Sequence, residues 1–411
     1  MLASHGKSIF DTLGRQPIHP FPARMAAGIA LAALSSKKGN LRVLDPMMGS
    51  GTVLAVARSK GHYATGVDLD PLAVLMGRVW TSSVDREKTI SKAEEVLRRA
   101  RKIFGTLPVS DAYPIGSDEE TKKFIRYWFD GYVRRQLAAL SFSIKRVQNK
   151  GIRDILWCAL SRLIITKSVG ASLAMDLAHS RPHKTYTRAP AKPFQRFLRA
   201  VKTVVENCPE RSGVGLGPRT AALRGDARAL KLKDKTIDLV LTSPPYLNAI
   251  DYIRCSKFSL VWMGHQIGDL RKIRRESIGC ESGDAESETQ PSVKNVIRAL
   301  RLTPALPSKY AKMLSQYIWD MSKSIAEVSR VLKRGGRAVY VVGDSTIRGT
   351  FVRNSSIVSA VAKQNGLKLV SRHSRKLPNN RRYLPPPRII GSRDALDSRM
   401  RREVVLVFRR N

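Results

Sequence analysis

An α/β protein built on a doubly wound, mostly parallel sheet is the fold class this sequence predicts, and three stretches predict it. Residues 41–44 (Leu-Arg-Val-Leu) make a short apolar run that ends in Asp45-Pro46-Met47-Met48-Gly49-Ser50-Gly51-Thr52 and passes into a helical run over 53–57. Residues 63–67 make a second run, which ends at Asp68 and is followed by Asp70-Pro71 and another helix start. Residues 237–241 (Ile-Asp-Leu-Val-Leu) make a third, ending in Thr242-Ser243-Pro244-Pro245-Tyr246.

The elements can be justified in order. Ile18-His19-Pro20-Phe21-Pro22 is a proline-punctuated entry into an alanine-rich helix reaching about residue 34, with Pro22 at the first helical position. After the first strand, the glycines let a ligand approach the backbone at the strand's carboxyl edge. A phosphate loop would end in Gly-Lys-Ser/Thr, which is missing here, and Asp45 would repel a pyrophosphate. An acidic group beside a glycine turn instead suits a ligand carrying a positive amine or sulfonium. Asp68, at the tip of the second strand, stands where such sheets hold ribose hydroxyls.

Between residues 80 and 220 the sheet pattern stops. Segments 86–104, 119–149 and 152–168 carry apolar residues at three-to-four spacing, among them Trp128, Val133, Leu137, Leu140 and Ile144, and predict a packed helical insertion. Over 176–188 basic, aromatic and histidine residues alternate without apolar period. Arg181, His183, Lys184 and Arg188 are candidates for following a phosphate backbone there, the alternative being a solvated basic loop. His179 and His183 stand four apart, but Pro182 lies between them and no third ligand is evident, so no metal site is read.

At the third strand's end, two consecutive prolines have no N–H to donate and force the chain out of the sheet. Tyr246 offers a flat face, and the Ser243 hydroxyl and Pro244 carbonyl offer acceptors. The set suits a planar ring bearing an amine. Beyond it, residues 257–262 read as helical, and 268–295 lose all period, predicting a mobile loop over the active face or a disordered spacer. A helix over about 309–331 ends at Gly335-Gly336. A strand at 337–342, a helix at 356–364, a strand at 367–371, an irregular surface over 377–387 and a last strand at 403–408, a hairpin edge with its predecessor, complete the alternation.

Composition bounds the partners. The 411 residues are 43% hydrophobic, enough for a large core, and carry 73 Lys+Arg against 33 Asp+Glu, a formal net charge of +40. That excess attracts a polyanion, nucleic acid first and an anionic membrane surface second. No stretch approaches the roughly 20 apolar residues of a spanning helix, and residues 1–16 lack a signal-peptide core. The four cysteines have neither metal-ligand nor disulfide-framework spacing, and a reducing, cytoplasmic compartment fits.

Asp-Pro-Met-Met-Gly-Ser-Gly-Thr, Gly-Val-Asp-Leu-Asp-Pro and Thr-Ser-Pro-Pro-Tyr together resemble the cofactor and catalytic motifs of S-adenosylmethionine-dependent DNA amino-methyltransferases, which modify cytosine N4 or adenine N6. The resemblance spans most of 17–80 and 220–411. It implies a Rossmann-like methyltransferase sheet with a C-terminal antiparallel strand. Residues 1–80 and 220–411 would form the two parts of the catalytic domain, and 81–219 a helical insertion open to DNA contact. It implies S-adenosylmethionine held by His19, Pro20, Asp45, Pro46, Gly49, Gly51, Thr52, Asp68 and Asp226, and catalysis at Ser243, Pro244, Pro245 and Tyr246. Met47 departs from the aromatic usual in the family's loop. The partners implied are double-stranded DNA and a cognate restriction nuclease. Serine at the head of the catalytic motif leans towards cytosine N4. Adenine N6, an RNA guanine N2 activity and a non-catalytic DNA-binding subunit are the alternatives. C5 methylation is discounted, because Cys208-Pro209 has the reverse of the order that chemistry uses.

Overall fold

The computed structural model describes residues 7–21, 25–35, 40–167, 169–175, 177, 182–209, 220–247, 251–279, 285–302, 308–347, 350–376 and 402–411. Seven strands form the main sheet: β1 (Arg42–Asp45), β2 (Tyr63–Asp68), β3 (Thr220–Arg224), β4 (Ile237–Thr242), β5 (Leu332–Gly343), β8 (Leu367–Lys376) and β9 (Arg402–Arg410). A small hairpin of β6 (Ser345–Ile347) and β7 (Thr350–Val352) stands apart from it. The order is β3-β2-β1-β4-β5-β9-β8, with β1 to β5 parallel and β9 antiparallel to both its neighbours. This is the Rossmann-like doubly wound sheet with an antiparallel C-terminal strand.

The chain winds outward from β1 to β3 and then returns to β4 on the other side of β1. The order therefore reverses between β1 and β4, and ligands of open α/β sheets bind in the crevice at such a switch point. The register Leu44↔Val240 sets Asp45 beside the end of β4.

Period-two alternation sorts the strand residues between two cores. Val43, Leu239, Leu241, Val339, Val341 and Val405 face one side, and Leu44, Val240, Tyr340, Val342, Val404 and Leu406 the other. The first face is covered by the Ala27–Leu34, Thr52–Ser59 and Pro71–Thr81 helices, and the same core continues into the insertion helices. The second face packs on the Ser308–Val331 and Asn354–Gln364 helices. Buried on both sides, these strands read as continuous apolar runs, which is why they were legible.

The structure corrects several boundaries. Instead of one helix over 119–149 there are two, Glu119–Trp128 and Gly131–Lys145, parted where Asp130 accepts a hydrogen bond from the Val133 N–H at 3.0 Å and from the Ala189 N–H at 2.7 Å. Residues 268–295 are not an aperiodic spacer. Where described, they fold as helices Ile267–Glu276, Ala285–Thr289 and Pro291–Ala299, the first burying Ile267, Leu270 and Ile273. Three apolar positions among six charged ones do hold a helix down, but the charges hide the period. The Ser308–Val331 helix runs into β5 at Leu332, so Gly335 and Gly336 lie within a bulged strand and do not end the helix. The expected hairpin edge is present: β8 and β9 pair antiparallel at one edge of the sheet, with β8 outermost. Pro22, the 377–387 stretch and Arg181 lie outside the described residues. Among the described residues no helix is long and apolar enough to cross a membrane.

Candidate active site

The glycine turn after β1 is built so that side chains cannot fill it. Gly49 and Gly51 sit at φ +48° and +76°, and a Cβ on Gly51 would lie 3.0 Å from the Gly77 backbone. Carboxylates hold the turn in place. Asp68 accepts from the Gly49 N–H at 2.8 Å and, through its other oxygen, from the Asp70 N–H at 2.9 Å. Asp45 accepts from the Met47 N–H at 3.2 Å and from the Thr242 hydroxyl at 2.7 Å, tying the turn to the last residue of β4. Asp70 caps the Pro71–Thr81 helix by accepting from the Leu72 N–H at 2.8 Å.

Asp45 and Asp70 are buried and Asp68 is half-buried, and none of the three makes an ion pair among the described residues. Burial pushes the Asp45 carboxyl up to about 7, with the charge of Asp68 adding and the bonds from Thr242 and Met47 opposing. Burial, and then Asp68, push Asp70 up to about 7 as well, and burial raises Asp68. In a chain of net charge +40, acidic groups with no ion-pair partner among the described residues suit a cationic ligand.

The other expected cofactor residues fall in different places. Pro46 and Thr52 are buried at the two ends of the glycine turn, Thr52 Oγ1 lying 3.1 Å from Ser50 Oγ. His19 is turned into the core, 2% exposed, with Nε2 2.8 Å from Ser161 Oγ, which donates to Ser259 Oγ at 2.9 Å. Pro20 is half-buried. Among the described residues of this segment Phe21 reaches the turn, its ring edge 3.8 Å from where a Gly49 Cβ would be, and it stacks on Tyr252 at 5.6 Å. Asp226 has both oxygens committed to Arg228, at 2.7 Å from Nη2 and 3.0 Å from Nε. The same guanidinium reaches Asp320 at 2.6 Å and the Glu276 carbonyl at 2.6 Å.

The turn after β4 rests on β5. Ser243 donates its hydroxyl proton to the Val341 carbonyl at 3.0 Å, which leaves the oxygen's remaining lone pair as an acceptor. The Pro245 carbonyl is taken by the Tyr317 hydroxyl at 3.2 Å. Pro244 is buried and Tyr246 half-buried. The Tyr246 hydroxyl lies 3.4 Å from Ser243 Oγ and 3.5 Å from Glu403 Oε1. Burial, with Glu403 adding, raises that phenol well above its ordinary value, so it stays neutral.

His183, Lys184 and Arg188 are exposed along the helical insertion. Lys184 Nζ stands 4.9 Å over the Tyr127 ring, and Lys192 Nζ stands 5.5 Å over Tyr132, so cations and exposed aromatics alternate there. Sequence reasoning missed Phe21 with Tyr252, Tyr317, and the pair Arg375 and Glu403. Tyr252, six positions after Tyr246, could have been found. Glu403 carried no local signal, because only the β5–β9 pairing brings it to the site.

No family model matches the chain. Curated relatives do. The Type II methyltransferase M.MvaI of Kocuria varians is 24% identical over 386 residues, covering 88% of this chain and 84% of the relative. The Type II methyltransferase M.AvaI of Nostoc sp. is 22% identical over 379 residues, covering 80% and 74%. Among solved structures, a TehB-like SAM-dependent methyltransferase from Corynebacterium glutamicum aligns over 93% of this chain and 88% of its own at 11% identity, with a TM-score of 0.30. An overlap that loose carries no argument, and the fold rests on the strand order given above.

Proposed function

We propose that this chain is a site-specific DNA methyltransferase that moves a methyl group from S-adenosylmethionine to an exocyclic base amine, cytosine N4 first and adenine N6 second. The observation that carries it is the Ser243 hydroxyl. With its proton engaged by Val341, the oxygen is left to accept from an amine. The sequence relatives are type II methyltransferases, which supports the same reaction class.

The residues present fit S-adenosylmethionine. The Asp45 and Asp68 carboxylates suit its charged methionine end and its ribose, and the Gly49–Gly51 turn leaves room for backbone approach. When bound, the cofactor supplies a methyl group on an electrophilic sulfonium. The chain's own task is to make a weak nucleophile stronger. An exocyclic amine has its lone pair delocalised into the ring. Ser243 Oγ and the Pro244 carbonyl, accepting its two hydrogens, favour the pyramidal nitrogen of the transition state, and the methylated, positively charged nitrogen then gives up one proton to solvent. A base in duplex DNA must first leave the stack, and Tyr246 offers a face on which it can rest.

The partner is double-stranded DNA, contacted through Arg181, His183, Lys184 and Arg188, with a cognate nuclease as the usual companion of this class. Incubation with methyl-labelled S-adenosylmethionine and an equimolar mixture of unmethylated duplex DNA and structured RNA tests the assignment. Label should enter the DNA, whereas label confined to the RNA contradicts it. Duplex binding should also weaken steeply with salt, and Ala at positions 181, 184 and 188 together should lower the slope of log affinity against log salt by about 2–3. An unchanged slope would leave this segment a solvated loop.

Cofactor affinity should depend on pH through Asp45. Its carboxyl, raised to about 7, is protonated in the free protein below that pH, and a cationic ligand favours the ionised form. Affinity should therefore rise by up to about tenfold per pH unit towards pH 7 and flatten above it. Asp45→Asn should remove that slope, as titration calorimetry from pH 5.5 to 8 can check.

A further inference from the structure

Glu403 stands one strand beyond the turn after β4, at the start of what sequence alone marks only as a terminal β-strand. β4 pairs with β5, with Thr242 opposite Tyr340, and β5 pairs with β9, with Gly343 opposite Glu403. Tyr246 reaches from the tip of β4 across the end of β5, so that its hydroxyl donates towards Glu403 Oε1 at 3.5 Å. The carboxylate is fixed from the other side. Arg375 lies directly across the β8–β9 ladder, and its Nε donates to Glu403 Oε2 at 2.9 Å, with Nη2 on the same oxygen. Both side chains are nearly buried, at 14% and 12% exposure.

A buried charge pair at the end of a β-strand is costly compared with an apolar pair of the same size, and stability alone is a poor reason for it. The geometry gives another. Arg375 occupies one carboxylate oxygen and leaves the other aimed at the Tyr246 phenol, itself 3.4 Å from Ser243 Oγ. An aromatic ring that must receive a displaced base needs its plane set in advance, and its hydroxyl is the one handle by which a polar group can set it.

We propose that Glu403, held by Arg375, is a positioning residue that anchors the Tyr246 hydroxyl and so fixes the ring on which the target base stacks. The inference rests on the function proposed above, but the contact itself can be read without turnover. It acts through Tyr246 alone, and this sets it apart from a general structural role.

The test compares the full-length protein with Glu403→Gln, Glu403→Ala, Tyr246→Phe, Tyr246→Phe/Glu403→Ala, and the paired replacement Glu403→Leu/Arg375→Met. The last removes the Glu403–Arg375 ion pair as a unit. In single-turnover transfer from labelled S-adenosylmethionine to unmethylated duplex DNA, Glu403→Ala and the paired variant should each be slower by about tenfold. Glu403→Gln, whose amide oxygen still accepts, should stay within about threefold of the wild type. In the Tyr246→Phe background, Glu403→Ala should cost nothing further, the non-additivity expected of groups acting through one contact. A loss of equal size in both backgrounds, or a paired variant at the wild-type rate, would overturn the proposal. Independently of turnover, the ¹³Cζ-tyrosine resonance of Tyr246, assigned by its loss in Tyr246→Phe, should move in the paired variant. If it stays in place, the anchor does not exist. A wild type that labels no DNA would overturn the proposed function, while the resonance would still decide the contact.

Discussion

Ser243→Ala is expected to slow single-turnover methyl transfer by about ten- to a thousandfold while leaving duplex affinity close to that of the wild type. The hydroxyl proton already belongs to the Val341 carbonyl, so what the substitution removes is an acceptor. Its value is greatest when the amine nitrogen becomes pyramidal. The Pro244 carbonyl remains, which is why the loss stops short of silence. Tyr246→Ala should fail differently. It removes the stacking face, worth about 1–3 kcal/mol, and should weaken binding of the displaced base as well as turnover. Tyr246→Phe keeps the face and loses only the hydroxyl anchor. Separate measurements of DNA affinity and of the single-turnover rate distinguish these cases. A Ser243→Ala variant with an undiminished rate would remove that hydroxyl from the chemistry.

Asp68→Ala should abolish most of the thermal stabilisation that S-adenosylmethionine gives. A ligand at a hundredfold excess over its Kd stabilises by about 2.7 kcal/mol, and that gain falls to about 0.4 kcal/mol once the Kd has risen to the ligand concentration. The effect should be large because Asp68 has two tasks. In the proposed reading it offers a carboxylate to the ribose, and it holds the Gly49 and Asp70 amides that shape the turn. Asp68→Asn can keep one of those bonds and should fall between the wild type and the alanine variant. Scanning calorimetry with and without cofactor reads all three, and an unchanged shift in Asp68→Ala would take this residue out of the site.

Much of the site was legible because it is local. Asp45, Asp68 and Ser243 each sit where a strand stops and the chain turns, so an apolar run followed by glycine, acid or proline marks them without any knowledge of the tertiary structure. Thr242 was visible as part of its motif, but its bond to Asp45 was not, since it joins residues 197 apart. Tyr246 and Glu403 are 157 apart, and their meeting depends on β9 entering between β5 and β8, an order that strand spacing does not encode. The His19 segment, expected to help hold the cofactor, places its histidine Nε2 on Ser161 and its Phe21 ring over the glycine turn, a division of roles that the motif alone does not show. The Ile267–Glu276 and Pro291–Ala299 helices were hidden because each buries only two or three apolar side chains and is otherwise polar.

The central claim is that the methyl group arrives on an exocyclic amine of a DNA base. Nucleoside analysis of duplex DNA methylated with isotope-labelled S-adenosylmethionine tests it most directly. The account predicts label in N4-methylcytosine, or in N6-methyladenine if the serine's preference misleads, and none in Ser243→Ala at early times. Label on cytosine C5, or a wild-type protein that leaves every nucleoside of the duplex unmodified, would contradict it.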